Sequence, residues 1–480
     1  MNQKMVFSTV GKVVLSEALM LTPPMITALI YGESALPFLA AIAVSIAIGS
    51  IMLLLFRTKN QVIYAKDGFM IVALSWIALS AIGALPFVFA REIPRYVDAF
   101  FETVSGFTTT GASILTNVEA MSRGLLFWRS FTHWIGGMGI LVFVMAIVPG
   151  MSDRSIHIMR AEMPGPVVGK LVPRAKDTAK ILYSIYIAMT IVEIILLIAG
   201  GMPVFDSIVH SFGTAGTGGF GIKADSIASY NAYLQWVITI FMLLFGVNFN
   251  LYYLLLIRRF RSAAKSTEFW AYLGIAFTSA ALITVNTLPH YETASDAIRH
   301  AAFQVSSIMT TTGFATVDFN LWPMFSRAIL LGLMFVGACA GSTGGGIKVS
   351  RVVLLIKSVG REVRKLTRPR SVTHVKFEGK NVDDATLSSV GTYLATYGLC
   401  FAGIVLLLCL EPTFDFLSNF SAAAACFNNI GPGLALVGPT ANYSAYSDWA
   451  KLLLSFAMLL GRLELFPLLI ALSPSTWTKR

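Results

Sequence analysis

Charged residues are scarce: Asp, Glu, Lys and Arg make up 13% of the 480 residues, while apolar types make up 56%. That leaves too little polar surface to coat a soluble globule of this length, so the chain belongs in a bilayer. Cysteine is nearly absent. Cys339, Cys400, Cys409 and Cys426 lie in or beside apolar segments with no CxxC or Cys/His spacing, which excludes a metal knuckle and favours buried small side chains over disulfides. Catalytic signatures are missing too: there is no HExxH, no GxSxG and no pair of intramembrane carboxylates placed for acid/base work, so an enzyme finds no support. No βαβ pattern or GxGxxG follows a strand, which leaves no nucleotide-sensing domain in the chain. A cleavable leader is not expected, because the first apolar segment resumes after Thr22-Pro23-Pro24 without an A-x-A-like site.

The positive charge present is distributed by topology. With the N-terminus placed in the cytoplasm and the crossings followed in order, 27 of the 36 Lys and Arg residues fall on the cytoplasmic side. This is the positive-inside pattern; it puts both termini in the cytoplasm and excludes nucleic acid as the reason for the net charge of +11.

Apolar segments of about 20 residues, the length that crosses roughly 30 Å of hydrocarbon, recur along the chain. Two come first, near residues 10–31 and 35–56, and read as an accessory hairpin over 1–60. Four units then share one order of span, short amphipathic half-helix, polar glycine stretch and span, over 61–150, 175–262, 266–360 and 384–475. Their half-helices with the return loops are expected near 97–113, 205–221, 295–316 and 414–433, and their second spans at 126–149, 230–257, 323–357 and 447–472. The fold class expected is all-α and membrane-integral, with ten transmembrane helices and four re-entrant pore helices.

The glycine stretches are FTTTGAS (Phe107 to Ser113), GTAGTGGFGI (Gly213 to Ile222), MTTTGFATVDF (Met309 to Phe319) and FNNIGPG (Phe427 to Gly433). One such stretch is an ordinary helix connection. Four of them, each behind a segment too short to span and all on the side opposite the basic loops, suggest a ring of backbone carbonyls around an ion path. Non-helical backbone survives at membrane depth only when buried in protein or lining a wet cavity. Glycine recurs because carbonyls turned inward need conformations that a Cβ penalises. The critical glycines are read as Gly111, Gly218, Gly313 and Gly431, spaced 107, 95 and 118 residues apart. Thr108, Thr109, Thr110, Thr217, Thr310, Thr311 and Thr312 offer hydroxyls to the ion or to nearby backbone, with Asn428 and Asn429 in comparable positions of the fourth copy. Half-helix C-termini aimed inward favour a cation. Glu102, Asp318 and Asp415 read individually as solvated outer-side acids.

Between Gly337 and Lys348 the run GACAGSTGGGIK gives up helix continuity inside a span, since each glycine costs about 1 kcal/mol relative to alanine. It reads as a flexible loop beneath the ring. A phosphate-binding loop needs lysine directly after glycine, and Ile347 intervenes. Arg462 stands about 15 residues into the last span, roughly 22 Å deep, where arginine needs a partner or water. Two readings stand: it faces the pore or the glycine loop and repels cations, or it forms a structural ion pair with a helix bearing Glu193. Glu464, two positions away on a helix, points to another face.

FTTTGAS, HWIGGMGI (His133 to Ile140), TGGFGI, MTTTGFATVDF, AGSTGGGIKVSR (Ala340 to Arg351), NNIGPG and GRLELFP together resemble the TrkH family of bacterial potassium uptake subunits, within the Trk/Ktr/HKT superfamily. The resemblance covers nearly the whole chain. It implies a potassium pathway of four M1-P-M2 repeats in a bacterial inner membrane, a homodimer, and a TrkA-like cytosolic regulatory subunit that binds nucleotides. No cofactor is implied in this chain; potassium is the transported ion. The ion-binding positions it implies are Thr109, Thr110, Gly111, Thr217, Gly218, Gly219, Thr311, Thr312, Gly313, Asn429, Ile430 and Gly431. The gate it implies is the loop Gly337 to Gly346, with Gly341, Ser342, Thr343, Gly344, Gly345 and Lys348, and Arg462 as a basic barrier. Family members with serine at the first filter glycine tend toward sodium, so Gly111 implies potassium; the second copy, TAGTGG, departs from the usual run. The basic stretch from Arg351 to Lys380 serves equally well as a contact for the regulatory subunit or for anionic membrane lipid. Channel-like and proton- or sodium-coupled flux both remain open, while a carrier built of inverted repeats is disfavoured because the four units share one orientation.

Overall fold

Proline and glycine decide where the apolar helices of this chain pause. The first runs Gln3–Met20 and continues as Thr22–Ile30, with Pro23 and Pro24 in the opening turn of the second piece, where a missing N–H sacrifices no helical bond. Leu36–Leu55 returns against it. The two backbones meet at small residues: a Cβ on Gly49 would lie 2.6 Å from Leu15 Cγ, and one on Gly11 2.9 Å from Met52 Cβ. Ser45 Oγ donates to Val14 O at 2.6 Å, so a polar group joins the helices where no water is at hand. The computed structural model describes residues 2–58, 64–139, 175–369 and 373–477.

Six helices among the described residues are long and apolar enough to cross a bilayer, or seven if a bent pair counts as one span. Four of the six, Ala65–Phe89, Asp177–Ala199, Thr267–His290 and Asp384–Leu408, fall where the first helices of the four expected units lie. Among the described residues this count falls short of the expected ten, and the helices at the expected second-span positions are broken. Arg123–Gly137 ends in Gly136-Gly137-Met138-Gly139, and residues 140–149 of the expected span lie outside the described residues. The span expected at 230–257 is corrected to two pieces, Ala232–Phe245 and Phe249–Leu256, bent by 90°. Gly246 ends the first piece, and the Asn248 side chain accepts from Asn250 N to cap the second. Met324–Val336 and Val349–Thr367 flank the glycine loop. The last span is also corrected to two pieces: Asp448–Arg462 and Phe466–Leu472 are separated by Glu464 and Leu465, both at positive φ, 51° and 68°.

Four short helices point into the centre of the molecule: Tyr96–Phe107, Val204–Gly216, Ala294–Met309 and Phe416–Phe427. Thr293 and Asp415 cap two of them, accepting from Asp296 N and Ser418 N. Small side chains let the fourth sit deep: Ala422, Ala423, Ala424 and Ala425 are fully buried. One element escaped the sequence reading. A two-stranded antiparallel hairpin, Lys376–Phe377 with Lys380–Asn381, pairs Lys376 with Asn381 and Phe377 with Lys380. Its Phe377 joins Val375, Leu354, Leu387 and Val390 in a small apolar cluster under the amphipathic helix Val349–Thr367.

Candidate ion pathway

Each short helix hands over to the same backbone turn. The second residue before the ring glycine takes a left-handed conformation, at Thr109 (φ 54°), Thr217 (55°), Thr311 (60°) and Asn429 (57°). The glycine follows two positions later: Gly111 (78°), Gly219 (76°), Gly313 (85°) and Gly431 (95°). Non-glycine residues enter this region rarely and at a cost of about 1–2 kcal/mol. Four recurrences at one register are therefore held by the surrounding structure.

The four turns close on one another in order. A Cβ at Gly111 would meet Gly218 O at 2.0 Å, at Gly219 it would meet Thr312 O at 1.9 Å, at Gly313 Ile430 O at 2.1 Å, and at Gly431 Thr110 O at 2.7 Å. Each glycine thus accommodates the carbonyl of the next loop, and the fourth loop returns to the first. This geometry corrects the sequence register in the second loop, where Gly219, not Gly218, takes the ring position. Gly218 is small for another reason, since its Cβ would lie 2.3 Å from His133 Nδ1. Two adjacent glycines hid the choice; the T-x-G spacing of TTG and NIG, applied to Thr217, selects Gly219.

The threonine hydroxyls mostly face protein. Thr108 and Thr310 donate to Val104 O and Ser306 O at 2.6 Å, and each shares a 2.8 Å hydrogen bond with the hydroxyl two residues on, Thr110 or Thr312. Thr217 Oγ1 donates to Gly216 O at 2.6 Å. Asn429 Nδ2 donates to Thr110 Oγ1 at 3.0 Å and to Met458 O at 2.9 Å, fastening the fourth loop to the first. Asn428 Oδ1 accepts from Tyr397 at 2.8 Å behind the ring. On one side of the ring a cavity of about 170 Å³ is lined by all four glycines, with Ala112, Ser113 and Pro432 among its walls.

Glu102 is not the solvated outer acid expected. It is buried, with its carboxylate 2.5 Å from Arg129 Nε, 2.9 Å from Ser113 Oγ and 3.0 Å from Ile114 N. Arg129 also donates to Gly221 O at 2.9 Å and lies 3.5 Å over the Phe220 ring. The pair ties the segment after the first loop to that after the second, and each ion is hydrogen-bonded as burial demands. Asp415 and Asp318 are caps, Asp318 accepting from Asn320 N at 3.0 Å.

On the other side of the ring lies the glycine loop. Gly345 N donates to Thr311 Oγ1 at 2.7 Å, and a Cβ on Gly345 would lie 2.6 Å from Asn428 O. Gly344 carries its backbone under Thr310 O, 2.9 Å from where its Cβ would be. The loop is stitched to the bend of the second unit: Cys339 N donates to Gly246 O and Phe249 N to Gly341 O, both at 3.0 Å, and Thr343 Oγ1 to Phe245 O at 3.2 Å. Glu268 Oε1 holds its two ends, accepting from Ala340 N at 2.7 Å and Ser350 N at 3.0 Å. Gly337, Gly341, Gly346 and Lys348 take positive φ of 74°, 71°, 74° and 78°. Ser342 Oγ donates to Cys339 O at 2.7 Å, and Lys348 Nζ donates to Gly344 O.

Arg462 fits its first reading, facing the loop. Nη1 donates to Thr343 O at 2.8 Å, and Nη2 donates to Gly136 O at 2.5 Å and Gly137 O at 2.7 Å. One guanidinium therefore links the fourth unit to the glycine loop of the third and the helix break of the first. Among the described residues, the Glu193 carboxylate has no ion-pair partner within 4.0 Å. Glu464 is taken by Arg351, which also donates to Ile347 O at 3.1 Å and lies 4.0 Å over Tyr393. A cavity of about 50 Å³ between Arg462, Trp76, Gly137, Lys348 and Glu464 lies on the far side of the loop from the ring. Sequence reasoning missed Arg129, Glu268 and Lys451, whose ammonium sits 2.6 Å from Asp98; Arg351, expected at the head of the exposed basic contact stretch, is instead buried against Glu464. Only long-range packing selects such partners; the local signal was a charge inside an apolar run.

Comparison with known proteins bears on the whole chain. The family of cation transport proteins called TrkH matches residues 35–282 and 266–479. The Trk system potassium uptake protein TrkH of Salmonella typhimurium is 38% identical over 473 residues, 97% of each chain. The Trk system potassium uptake protein TrkG of Escherichia coli is 35% identical over 469 residues, 96% of each. The crystal structure of the potassium transporter TrkH from Vibrio parahaemolyticus superposes with a TM-score of 0.88 at 34% identity, covering all of both chains.

Proposed function

Because this chain belongs to the TrkH family of cation transport proteins, we propose that it takes up potassium across a bacterial inner membrane as the ion-conducting subunit. It is a transporter, not an enzyme. The observation that carries this reading is the closed sequence of four glycine-and-carbonyl contacts, in which every loop supplies one oxygen and makes room for its neighbour's. Backbone oxygens at Thr110, Gly218, Thr312 and Ile430 replace the hydration shell of a dehydrated cation. Four unequal loops from one chain then do the work that four identical subunits do in a symmetric pore.

Ten crossings and four re-entrant helices account for this arrangement, with 27 of 36 basic residues and both termini on the cytoplasmic side. The cavity lined by the ring glycines is then the outer mouth, and the glycine loop with Arg462 closes the path beneath it. Release of that closure falls to a TrkA-like nucleotide-binding subunit on the cytoplasmic face, and the chain works as a homodimer. Cells lacking their own potassium uptake and expressing this chain should grow in medium whose potassium is too low for the parent strain. No growth despite membrane expression and a supplied TrkA-type partner would overturn the assignment.

A further inference from the structure

The 90° bend at Gly246-Val247-Asn248 leaves a wedge that the ion pathway does not use. On one wall is the face of the helix Ala175–Ala199 that carries Ile181, Ile185 and Ala188; on the other are Phe241 and Leu244 before the bend and Leu255 after it. The groove measures about 760 Å³ and is almost wholly apolar, within the range of roughly 300–1,000 Å³ of sites for small ligands. It opens sideways between helices that also expose Ile187, Ile191 and Ile195 on one wall and Ile240 and Leu256 on the other, so hydrocarbon faces it.

Charge marks one end. Lys180 lines the groove and is exposed, and past Leu256 on the opposite wall the chain runs directly into exposed Arg258 and Arg259. Among the described residues, none of these three cations has an ion pair within 4.0 Å, and neither does Asp177, one turn before Lys180. An apolar slot of lipid-chain dimensions ending in unpaired cations matches an anionic phospholipid, with each basic residue near the headgroup worth about 1 kcal/mol.

We infer that this wedge binds one anionic phospholipid, an acyl chain lying between Ala188 and Leu244 and the phosphate held by Lys180, Arg258 and Arg259. The lipid braces the bend whose Phe245, Gly246 and Phe249 peptide groups hold Thr343, Cys339 and Gly341 of the glycine loop. Only this bracing role rests on reading that loop as the gate, and the binding test stands apart from flux.

The test is native mass spectrometry of the full-length purified chain, titrated with phosphatidylglycerol or phosphatidylcholine. Phosphatidylglycerol should be retained at concentrations about tenfold lower. Replacing Lys180, Arg258 and Arg259 together by glutamine should erase that preference while leaving phosphatidylcholine retention unchanged. Ala188→Trp, which fills the slot, should lose both lipids, and an unchanged thermal transition in lipid-free detergent would show that it still folds. Equal retention of the two lipids by the wild-type chain, undiminished retention by Ala188→Trp, or a cross-link from position 188 to a second copy would overturn the proposal. If binding follows the expected pattern while rubidium flux is the same with and without phosphatidylglycerol, the bracing role fails and the site stands.

Discussion

Gly313→Ser should lose potassium over sodium discrimination by about tenfold or more, a change of about 1.4 kcal/mol in relative site energy. The new Cβ would lie 2.1 Å from Ile430 O and 3.0 Å from Pro432 Cδ, at a residue whose φ is +85°. Real Cβ atoms do not approach a carbonyl that closely, so the third loop must shift outward or rotate its peptide. Selectivity set by the number and placement of carbonyl dipoles tolerates neither. Gly219→Ser should act in the same way, because its Cβ would meet Thr312 O at 1.9 Å. Gly218→Ser should instead reduce folded protein, since its Cβ is driven into the His133 ring. The readout is the ratio of sodium to potassium concentrations that halve rubidium uptake. An unchanged ratio in Gly313→Ser would remove the third loop from the filter, and a lower ratio in folded Gly218→Ser with Gly219→Ser unaffected would restore the sequence register.

Arg462→Ala should raise rubidium uptake in the absence of any partner by about tenfold. Two effects add. The substitution removes a positive charge from the space below the ring, where an approaching cation meets it in low dielectric. It also strands the carbonyls of Thr343 and Gly137, which now share one guanidinium with Gly136 O, while Gly136 O keeps the Gly139 N–H; buried acceptors left unpaired cost about 1–3 kcal/mol each. The glycine loop then loses its tie to the first and fourth units. Arg462→Lys keeps the charge but lacks the fork that spans Thr343 O and Gly137 O together, so its uptake should fall between wild type and alanine. Uptake by Arg462→Ala equal to wild type would make the residue a structural staple with no part in closure.

Much of this architecture was legible because membranes restrict the choices. Segments too short to span, followed by small polar residues and glycine, located the starts of all four half-helices to within two residues of those of Tyr96–Phe107, Val204–Gly216, Ala294–Met309 and Phe416–Phe427. The GACAGSTGGGIK break was equally plain, since nothing else in a span carries so many helix breakers. The bends at Gly246 and at Glu464-Leu465 were not, because a single glycine marks the first in an apolar run and the charges at the second were read as a partnering problem rather than a break. They are enforced from outside, by the hydrogen bonds of the Phe245, Gly246 and Phe249 peptide groups to the glycine loop and by the grip of Arg351 on Glu464. Glu102 was misread for a related reason: its burial depends on Arg129, 27 residues away and on another helix.

The most direct test of a single potassium pore built from four loops of one chain is rubidium-86 uptake into proteoliposomes containing only this purified protein. Wild type and Arg462→Ala would be run side by side, so that a closed gate cannot hide a pathway, with potassium and sodium as competitors. Uptake blocked by potassium at concentrations where sodium has no effect is the predicted result. Equal competition by the two ions, or no uptake by folded Arg462→Ala, would contradict it.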